Sequence, residues 1–251
     1  MYLHQLDPVL VSLGFLQIRY YSLVYLAGFL LTLWMMLRKR ESLGLQKDDC
    51  YDLLVYLILG TILGARLFEV VFWEPGYYFS HPLKIIAIWE GGMSYHGGLV
   101  GVMIAAWLFC KKKKVDVWKL ADIIIVPAAL MLAFGRIANF INGELVGRIT
   151  TASWCVVFSG YEGCRHPQQL YAAAYRFLIF FGLLGVQKLR KKQGFVFWSY
   201  VLLEGVGRFV VDFFREDVLY LGLSLGQWFS LGMIVVGGWW IWRTYFKSTK
   251  K

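Results

Sequence analysis

The sequence has few charged residues and few prolines. Only 17% of its 251 residues are Asp, Glu, Lys or Arg, whereas a typical soluble domain has about 25%. Hydrophobic residues make up 59% of the chain, and tryptophan occurs 11 times. This composition excludes an ordinary soluble domain and indicates an integral membrane protein. Because no Pro-, Gly- or Ser-rich linker interrupts the chain, we expect a single membrane-embedded domain over residues 1–251.

Motifs of metal and redox chemistry are also missing. The four histidines show no metal-ligand spacing, and neither C-x-x-C nor H-E-x-x-H occurs, so we expect neither a metal nor a cofactor. Cys50 and Cys110 lie at predicted cytoplasmic helix ends, where thiols stay reduced. Cys155 and Cys164 share a predicted outer loop, and the sequence leaves open whether they form a disulfide.

The positive charge of the chain is concentrated in short clusters. The net charge is +10, and 17 of the 26 Lys and Arg residues fall in four clusters, after residue 37, after residue 110, at 188–192 and at 243–251. The apolar segments between them have about 20 residues, the length that spans a bilayer core. The positive-inside rule places every cluster in the cytoplasm, which favours a topology signal over a site for nucleic acid or anionic lipid. The predicted spans are residues 18–37, 52–73, 91–110, 119–138, 168–187, 195–214 and 226–242.

This pattern predicts an all-α, polytopic integral membrane protein with about seven transmembrane helices. The amino terminus is expected outside and the carboxyl terminus in the cytoplasm, because an added or missing helix would place a basic cluster outside. Residues 1–17 carry no positive n-region and no small-residue cleavage site, so we expect no cleaved signal peptide. The segment around Asp7, Pro8 and Val9 is predicted to lie on the outer membrane face.

Several polar side chains inside the spans are predicted to lie at a similar depth. A charged group in a membrane costs about 3 kcal/mol on insertion scales and usually marks function. Counting about 1.5 Å per helical residue places each of them in the outer half of the bilayer, although their helices run in alternating directions. These residues are Tyr25, Arg66, His96, Arg136 and Arg208.

The sixth predicted span has an ionic face. Glu204, Arg208 and Asp212 are spaced four residues apart and share one side of a helix, with Arg215 about one turn further. One interpretation is an internal ionic ladder that allows a polar face to pack inward. The other is that an arginine of this face binds an anion.

The segment GRIANFINGELVGR, residues 135–148, places polar residues where the fourth span ends. Arg136, Asn139, Asn142, Glu144 and Arg148 offer guanidinium groups, amides and a carboxylate together. Irregular backbone at this depth requires burial in protein or a wet cavity. Because arginine binds phosphate through two parallel hydrogen bonds, the segment predicts a phospholipid-headgroup site. A helix cap with a snorkelling Arg136 is the alternative.

The segment EGGMSYHGGLVG, residues 90–101, combines a histidine with glycines. Histidine titrates near neutral pH, so His96 is a candidate general base, although a lone histidine is more often a hydrogen-bonded structural residue. A glycine face indicates close helix packing, or else room for an acyl chain. The glycines of this face are Gly97, Gly98 and Gly101. Gly60 and Gly64 form a separate GxxxG pattern, which predicts helix packing.

Four segments resemble motifs of the bacterial prolipoprotein diacylglyceryl transferases. They are GGMSYHGGLVG, GRIANFINGELVGR, RHPQQLY and GRFVVDFFR, in that family's order, and the resemblance extends from YYSLVYLAGF to LSLGQ. It implies a seven-helix enzyme of the bacterial cytoplasmic (inner) membrane with its site toward the outer leaflet. The implied reaction transfers the diacylglyceryl group of phosphatidylglycerol to the lipobox cysteine of a prolipoprotein, with release of glycerol phosphate. The expected partners are phosphatidylglycerol, prolipoprotein signal peptides and the lipid bilayer, without nucleic acid.

The resemblance also implies roles for individual residues. Arg136 and Arg208 match the family's essential arginines and are expected to act in both catalysis and substrate binding, and His96 matches its motif histidine. The other residues expected to bind substrate are Tyr25, Asn139, Asn142, Glu144 and Gly147. The chain departs from the family at two positions: Glu204 stands where the family often has tyrosine, and Ala172 where it often has glutamate. The outer loop after Arg148 is also short.

The implied chemistry fits these residue types. Sulfur displaces phosphate from a glycerol carbon, and the thiol, with a pKa of about 8.5, reacts as the thiolate. Guanidinium groups stabilise the negative charge that moves onto the departing phosphate. We hypothesise that His96 takes the thiol proton, with orientation of the headgroup as its alternative role.

Three other classes of function fit the sequence less well. A transporter or binding protein for an anionic phospholipid would suit the arginines but predicts inverted repeats with broken helices, and no convincing pair occurs. A CDP-alcohol phosphotransferase needs a cluster of aspartates that the sequence lacks. A purely structural subunit would not need the polar set of residues 136–144.

Overall fold

The computed structural model describes residues 2–14, 16–189 and 192–246. Parts of two predicted basic clusters, at residues 190–191 and 247–251, lie outside the described residues. The described chain is mainly α-helical, with short strand pairs in its loops. In chain order the α-helices are α1 (Tyr20–Leu43), α2 (Lys47–Phe68), α3 (Pro75–Ser80), α4 (Tyr95–Lys113), α5 (Val117–Ile141), α6 (Gln168–Val186), α7 (Phe195–Val211) and α8 (Leu225–Ile241). The strands are β1 (Tyr2–Leu3), β2 (Val9–Leu13), β3 (Leu16–Arg19), β4 (Val156–Val157), β5 (Leu219–Tyr220) and β6 (Leu223–Ser224).

A long helix lies at each of the predicted spans, with ends shifted by a few residues. Among the described residues, four helices are long and apolar enough to cross a membrane: Tyr20–Leu43, Lys47–Trp73, Val117–Ile141 and Gln168–Leu189. The second of these is α2 together with the π-helical turn that continues it. Helices α4, α7 and α8 have 19, 17 and 17 residues, near the lower limit of about 17 for a span. The structure is that of an all-α integral membrane protein.

Capping residues explain several helix ends. Gly44 follows α1 with φ of 70°, the left-handed conformation that commonly ends helices. Ser94 precedes α4, and its hydroxyl accepts from Gly97 N. Ser224 and Gln227 form a capping box at α8, in which each side chain accepts from the other residue's backbone N–H, at 3.0 and 2.9 Å.

A β-hairpin replaces the predicted start of the first span. Strands β2 and β3 pair antiparallel, and α1 begins at Tyr20, two residues after the predicted start of the span. Gly14 has φ of 61° at the turn between the strands, a conformation that glycine adopts without strain. The alternating β-branched and apolar residues of this stretch favour strand over helix.

One compact unit contains the chain up to Leu31 and from Ala121 onward. Within it, α6 packs on α7 and α7 packs on α8. Asp122 near the start of α5 caps the start of α7, because its carboxylate accepts from Gly194 N at 2.7 Å and Phe197 N at 2.8 Å. This contact satisfies backbone donors that a helix start leaves unpaired.

The amino-terminal segment belongs to the same unit. Strand β1 pairs in parallel with β4, and the His4 ring bonds the Phe140 carbonyl at 2.7 Å. Cys155 and Cys164 form a disulfide, which answers the question that the sequence left open. These contacts hold the loop between α5 and α6 against the end of α5.

The second unit is Thr32–Leu120, in which α2 and α4 pack closely. A β-carbon at Gly60 would lie 2.7 Å from the Gly101 carbonyl oxygen, and one at Gly64 would clash with the Gly97 carbonyl. The prediction that these glycines allow close helix packing is confirmed. Because α2 fills the glycine face of α4, that face leaves no room for an acyl chain.

Candidate functional site

The turn after α5 is built around the carboxylate of Glu144. Asn139 and Asn142 donate their side-chain amides to Glu144 Oε1 at 2.6 and 3.2 Å. Gly143 has φ of 68° and Leu145 φ of 54°, so the chain reverses tightly after the last helical residue. The Gln169 amide donates to the Glu144 carbonyl at 2.6 Å. Glu144 is therefore held by its own turn.

Gly147 lies where three of the sequence motifs come close together in the structure. Its N–H donates to the His166 carbonyl at 3.1 Å, and its carbonyl accepts from the Arg165 guanidinium at 3.1 Å. A β-carbon at Gly147 would lie 2.5 Å from the His166 carbonyl oxygen and 2.7 Å from that of Phe214. Only glycine fits there, and the contact brings residues 135–148 beside the segments around 166 and 214.

Arg136 lies half-buried near the end of α5. It is within electrostatic range of three other arginines, Arg176, Arg208 and Arg215. Among the residues that the structure describes, none offers its guanidinium a carboxylate within ion-pair distance; the neighbouring carboxylates pair with the other arginines. The structure thus brings Arg136 and Arg208 into one cluster of positive charge.

The ionic face of α7 is arranged differently from the predicted ladder. Arg208 and Asp212 form an ion pair at 3.6 Å, and Arg215 pairs with Asp217 at 3.1 Å. Glu204, however, pairs with Arg176 of α6. The interpretation of an ionic ladder within one helix is therefore wrong for Glu204, because the neighbouring helix provides its partner.

The first turn of α8 packs against the ion pair of Arg208 and Asp212. A β-carbon at Gly226 would fall inside 3.0 Å of Asp212 Oδ2, a separation that side-chain carbons essentially never show, and 3.2 Å from an Arg208 amino nitrogen. The Asp212 side chain is 3% exposed, whereas that of Arg208 is 36% exposed. The carboxylate is therefore fixed inside the protein, while the guanidinium stays accessible.

Three aromatic side chains, those of Trp154, His166 and Tyr171, contact one another in the loop before α6 and at the start of that helix. His166 Nδ1 lies 3.1 Å from the Tyr171 hydroxyl, which also accepts from the Trp154 indole at 2.6 Å. Burial first, and then the positive charge of Arg148, lower the pKa of His166 below its ordinary value. This loop histidine is therefore expected to be neutral at pH 7.

His96 and Arg66 belong to the Thr32–Leu120 unit. His96 is exposed in the first turn of α4, with its ring edge-on to Tyr95 at 5.8 Å. Arg66 is 5% exposed and donates to the backbone carbonyls of residues 84, 85, 87, 91 and 92. Because carbonyls satisfy its guanidinium, Arg66 organises the loop between α2 and α4. Its burial in a membrane span had suggested function, and the loop contacts give a structural role.

Tyr25 and an apolar cleft lie on α1. Tyr25 is 46% exposed, and its ring packs against Tyr21 at 5.4 Å. The cleft, with a volume of about 290 Å³, lies between α1 and α5 and has an almost wholly apolar lining. On α5 its lining residues, such as Phe134 and Ile137, face away from Arg136. The cleft can therefore hold hydrocarbon but not a charged headgroup.

Three contributors to this site were missed from the sequence. Arg176 and Gly226 meet the site only through helix packing, and neither stands in a charged pattern of its own helix. Gln169 lies within the RHPQQLY motif, which was the signal that could have identified it. Together, the described residues place several guanidinium groups beside a rigid amide–carboxylate turn, and among these groups Arg136 has no described carboxylate within ion-pair distance. This arrangement is suited to binding a phosphate.

Comparisons with known proteins agree with this chemistry. A family model described as prolipoprotein diacylglyceryl transferase matches residues 8–243. Three similar proteins are each named phosphatidylglycerol–prolipoprotein diacylglyceryl transferase. The one from Geobacter sulfurreducens is 43% identical over 92% of this chain and 93% of its own length. That from Cupriavidus metallidurans is 44% identical over 93% and 91%, and that from Nitrosomonas europaea 41% over 93% and 88%. The chain therefore belongs to the prolipoprotein diacylglyceryl transferase family.

Proposed function

We propose that this protein transfers the diacylglyceryl group of phosphatidylglycerol to the lipobox cysteine thiol of prolipoproteins. The family membership indicates the reaction. The observation that carries the proposal is the charge arrangement around Arg136, where paired arginines surround one guanidinium that has no carboxylate among the described residues. Such a group at the end of an apolar helix suits the phosphate of a lipid.

Arg136 and Arg208 bind the phosphate of the donor. Arg136 is the more dependent on a bound anion, since Asp212 already balances Arg208 at 3.6 Å. As the carbon–oxygen bond of the diacylglyceryl group breaks, its electrons and negative charge move onto the departing glycerol phosphate. Guanidinium groups already in place stabilise that charge without reorganisation.

The thiol of the incoming cysteine provides the other half of the reaction. Its thiolate attacks the terminal glycerol carbon, a carbon–sulfur bond forms, and the carbon–oxygen bond to phosphate breaks. We assign the role of proton acceptor to His96, which is exposed on α4 and belongs to a family motif. A cysteine of this chain takes no part, because the acceptor sulfur comes from the substrate.

The turn after α5 positions the headgroup. Asn139 and Asn142 hold Glu144 through their amides, and Gly147 allows the neighbouring segments to approach. A preorganised turn of this kind keeps its polar groups at fixed positions when the substrate binds. Tyr25 on α1 completes the proposed substrate-binding set.

The proposed topology is a single domain with seven spans in the bacterial cytoplasmic membrane. The amino terminus lies outside, the carboxyl terminus in the cytoplasm and the site toward the outer leaflet. The distribution of Lys and Arg between the helices supports this orientation. Phosphatidylglycerol and the signal peptides of prolipoproteins are the proposed partners.

The test is transfer by the purified protein. The full chain is incubated with phosphatidylglycerol and a lipobox peptide, and the peptide mass is measured. We expect a mass increase of one diacylglyceryl group, and none on a peptide with serine in place of the cysteine. Binding or movement of phosphatidylglycerol without any change of peptide mass would favour a lipid transporter instead.

A further inference from the structure

A buried ion pair joins α6 and α7 beside the proposed phosphate site. Arg176 and Glu204 are 5% and 6% exposed, and an amino group of Arg176 donates to Glu204 Oε1. Tyr175 donates to the same oxygen at 2.9 Å, and the Arg176 guanidinium lies over the Tyr175 ring at 4.6 Å. A β-carbon at Gly207 would clash with that ring, so α7 approaches the cluster closely.

The geometry of this pair is poor for stability alone. Arg176 Nε and Glu204 Oε2 are buried, and neither atom finds a hydrogen-bond partner in the described part of the chain. A buried ion pair with unsatisfied atoms often stabilises a protein less than an apolar pair of similar volume. The position of this pair beside other arginines therefore suggests an electrostatic role.

The cluster has more arginines than carboxylates. Arg136 is within electrostatic range of three arginines, and each of these three holds one carboxylate. The three pairs are Arg176 with Glu204, Arg208 with Asp212, and Arg215 with Asp217. If Arg176 were removed, Glu204 would be a buried carboxylate without a cation, an unfavourable state that attracts a new partner. Arg136 interacts electrostatically with Tyr175 and Arg176, the two residues that donate to Glu204 Oε1. Because no carboxylate of the described residues pairs with Arg136, its charge is available to Glu204.

We propose that Arg176 is a positioning residue, which occupies Glu204 and thereby keeps Arg136 available for the phosphate of the lipid donor. The identity of the donor rests on the proposed function, whereas the charge argument applies to any phosphate-bearing lipid. The role makes the two members of the pair unequal. If Arg176 is lost, Glu204 can form an ion pair with Arg136 instead. If the charge of Glu204 is lost, Arg176 has no partner, but no carboxylate pairs with Arg136.

The experiment compares Arg176→Met, Glu204→Gln and the double variant in the full chain. Native mass spectrometry in detergent gives the Kd for phosphatidylglycerol, and peptide lipidation at varied phosphatidylglycerol mole fraction gives KM and kcat. We expect Arg176→Met to raise Kd and KM about tenfold, the effect of withdrawing one charged contact, with a smaller change in kcat. Glu204→Gln should raise neither, and the double variant should return Kd to within about threefold of the wild-type value.

Equal weakening by both single variants, or an unchanged Kd in Arg176→Met, would overturn the proposal, because a merely structural pair predicts equal effects. Where Arg176→Met does not insert, the other two variants decide, and a tenfold rise of Kd in either of them contradicts the role. Lys84→Met is the charge-matched control, since it removes one cation from the exposed pair with Glu90 and should leave Kd unchanged. Should the wild-type protein bind phosphatidylglycerol without lipidating the peptide, the proposed function fails, while the Kd values still test Arg176.

Discussion

Replacement of Gly226 by alanine tests whether Arg208 must be held where the structure places it. Gly226 lies in the first turn of α8, and a β-carbon there would fall inside 3.0 Å of Asp212 Oδ2. The Asp212 side chain is 3% exposed, so it has little free space around it. It must move by about 1 Å to restore an ordinary van der Waals distance. The same β-carbon would lie 3.2 Å from an Arg208 amino nitrogen, so we expect the movement to disturb the Arg208–Asp212 ion pair, which measures 3.6 Å.

A misplacement of about 1 Å in a positioned group lowers turnover by up to roughly 100-fold. We therefore expect Gly226→Ala to reduce kcat about ten- to a hundredfold, or about 1.4–2.7 kcal/mol in activation free energy. Lipidation of a lipobox peptide measures the rate, normalised to correctly inserted protein. Gly232→Ala is the matched control in the same helix, because its β-carbon meets nothing within 4 Å. That variant should keep wild-type activity, and a wild-type rate in Gly226→Ala would refute the positioning argument.

Three further predictions concern the phosphate site, the metal-free chemistry and the disulfide. Arg136→Lys keeps the positive charge but loses the planar guanidinium fork. Because one charged hydrogen bond contributes about 1.5–3 kcal/mol, we expect roughly ten- to a hundredfold lower turnover. Turnover near the wild-type rate would mean that the headgroup binds elsewhere. Activity should survive exhaustive chelation, and loss with EDTA that one divalent ion restores would contradict the absence of metal-ligand spacing in the sequence. Non-reducing peptide mapping should find Cys155 linked to Cys164. The double Ser variant should stay largely active, since neither residue lies in a family motif. An inactive double variant that still inserts into the membrane would show that the loop cysteines are needed for activity.

The helices were predictable because hydropathy and basic clusters mark them directly. Predicted boundaries such as 168–187 and 226–242 lie within one residue of α6 and α8. The hairpin before α1 was missed because its residues are as apolar as the helix that follows, and hydropathy does not distinguish strand from helix over a short run. Gly14, at the turn, was the local signal for it.

Prediction from spacing works for contacts between side chains of one segment. Asn139, Asn142 and Glu144 lie close in sequence, and the structure joins them through hydrogen bonds. It failed for Glu204, because spacing on one helix identifies neighbours at i and i+4 but not a partner from another helix. Arg176 is such a partner, and helix packing alone brings it to Glu204.

The most direct test of the proposed reaction is to follow the oxygen atom that joins the diacylglyceryl carbon to phosphorus. Phosphatidylglycerol labelled with ¹⁸O at this position is incubated with the full chain and a lipobox peptide. Attack by sulfur on carbon predicts that all the label leaves with glycerol phosphate, in equal amount to the lipidated peptide, which carries none. Label retained on a diacylglycerol product, or a peptide that gains phosphorus, would contradict thioether formation through displacement of phosphate.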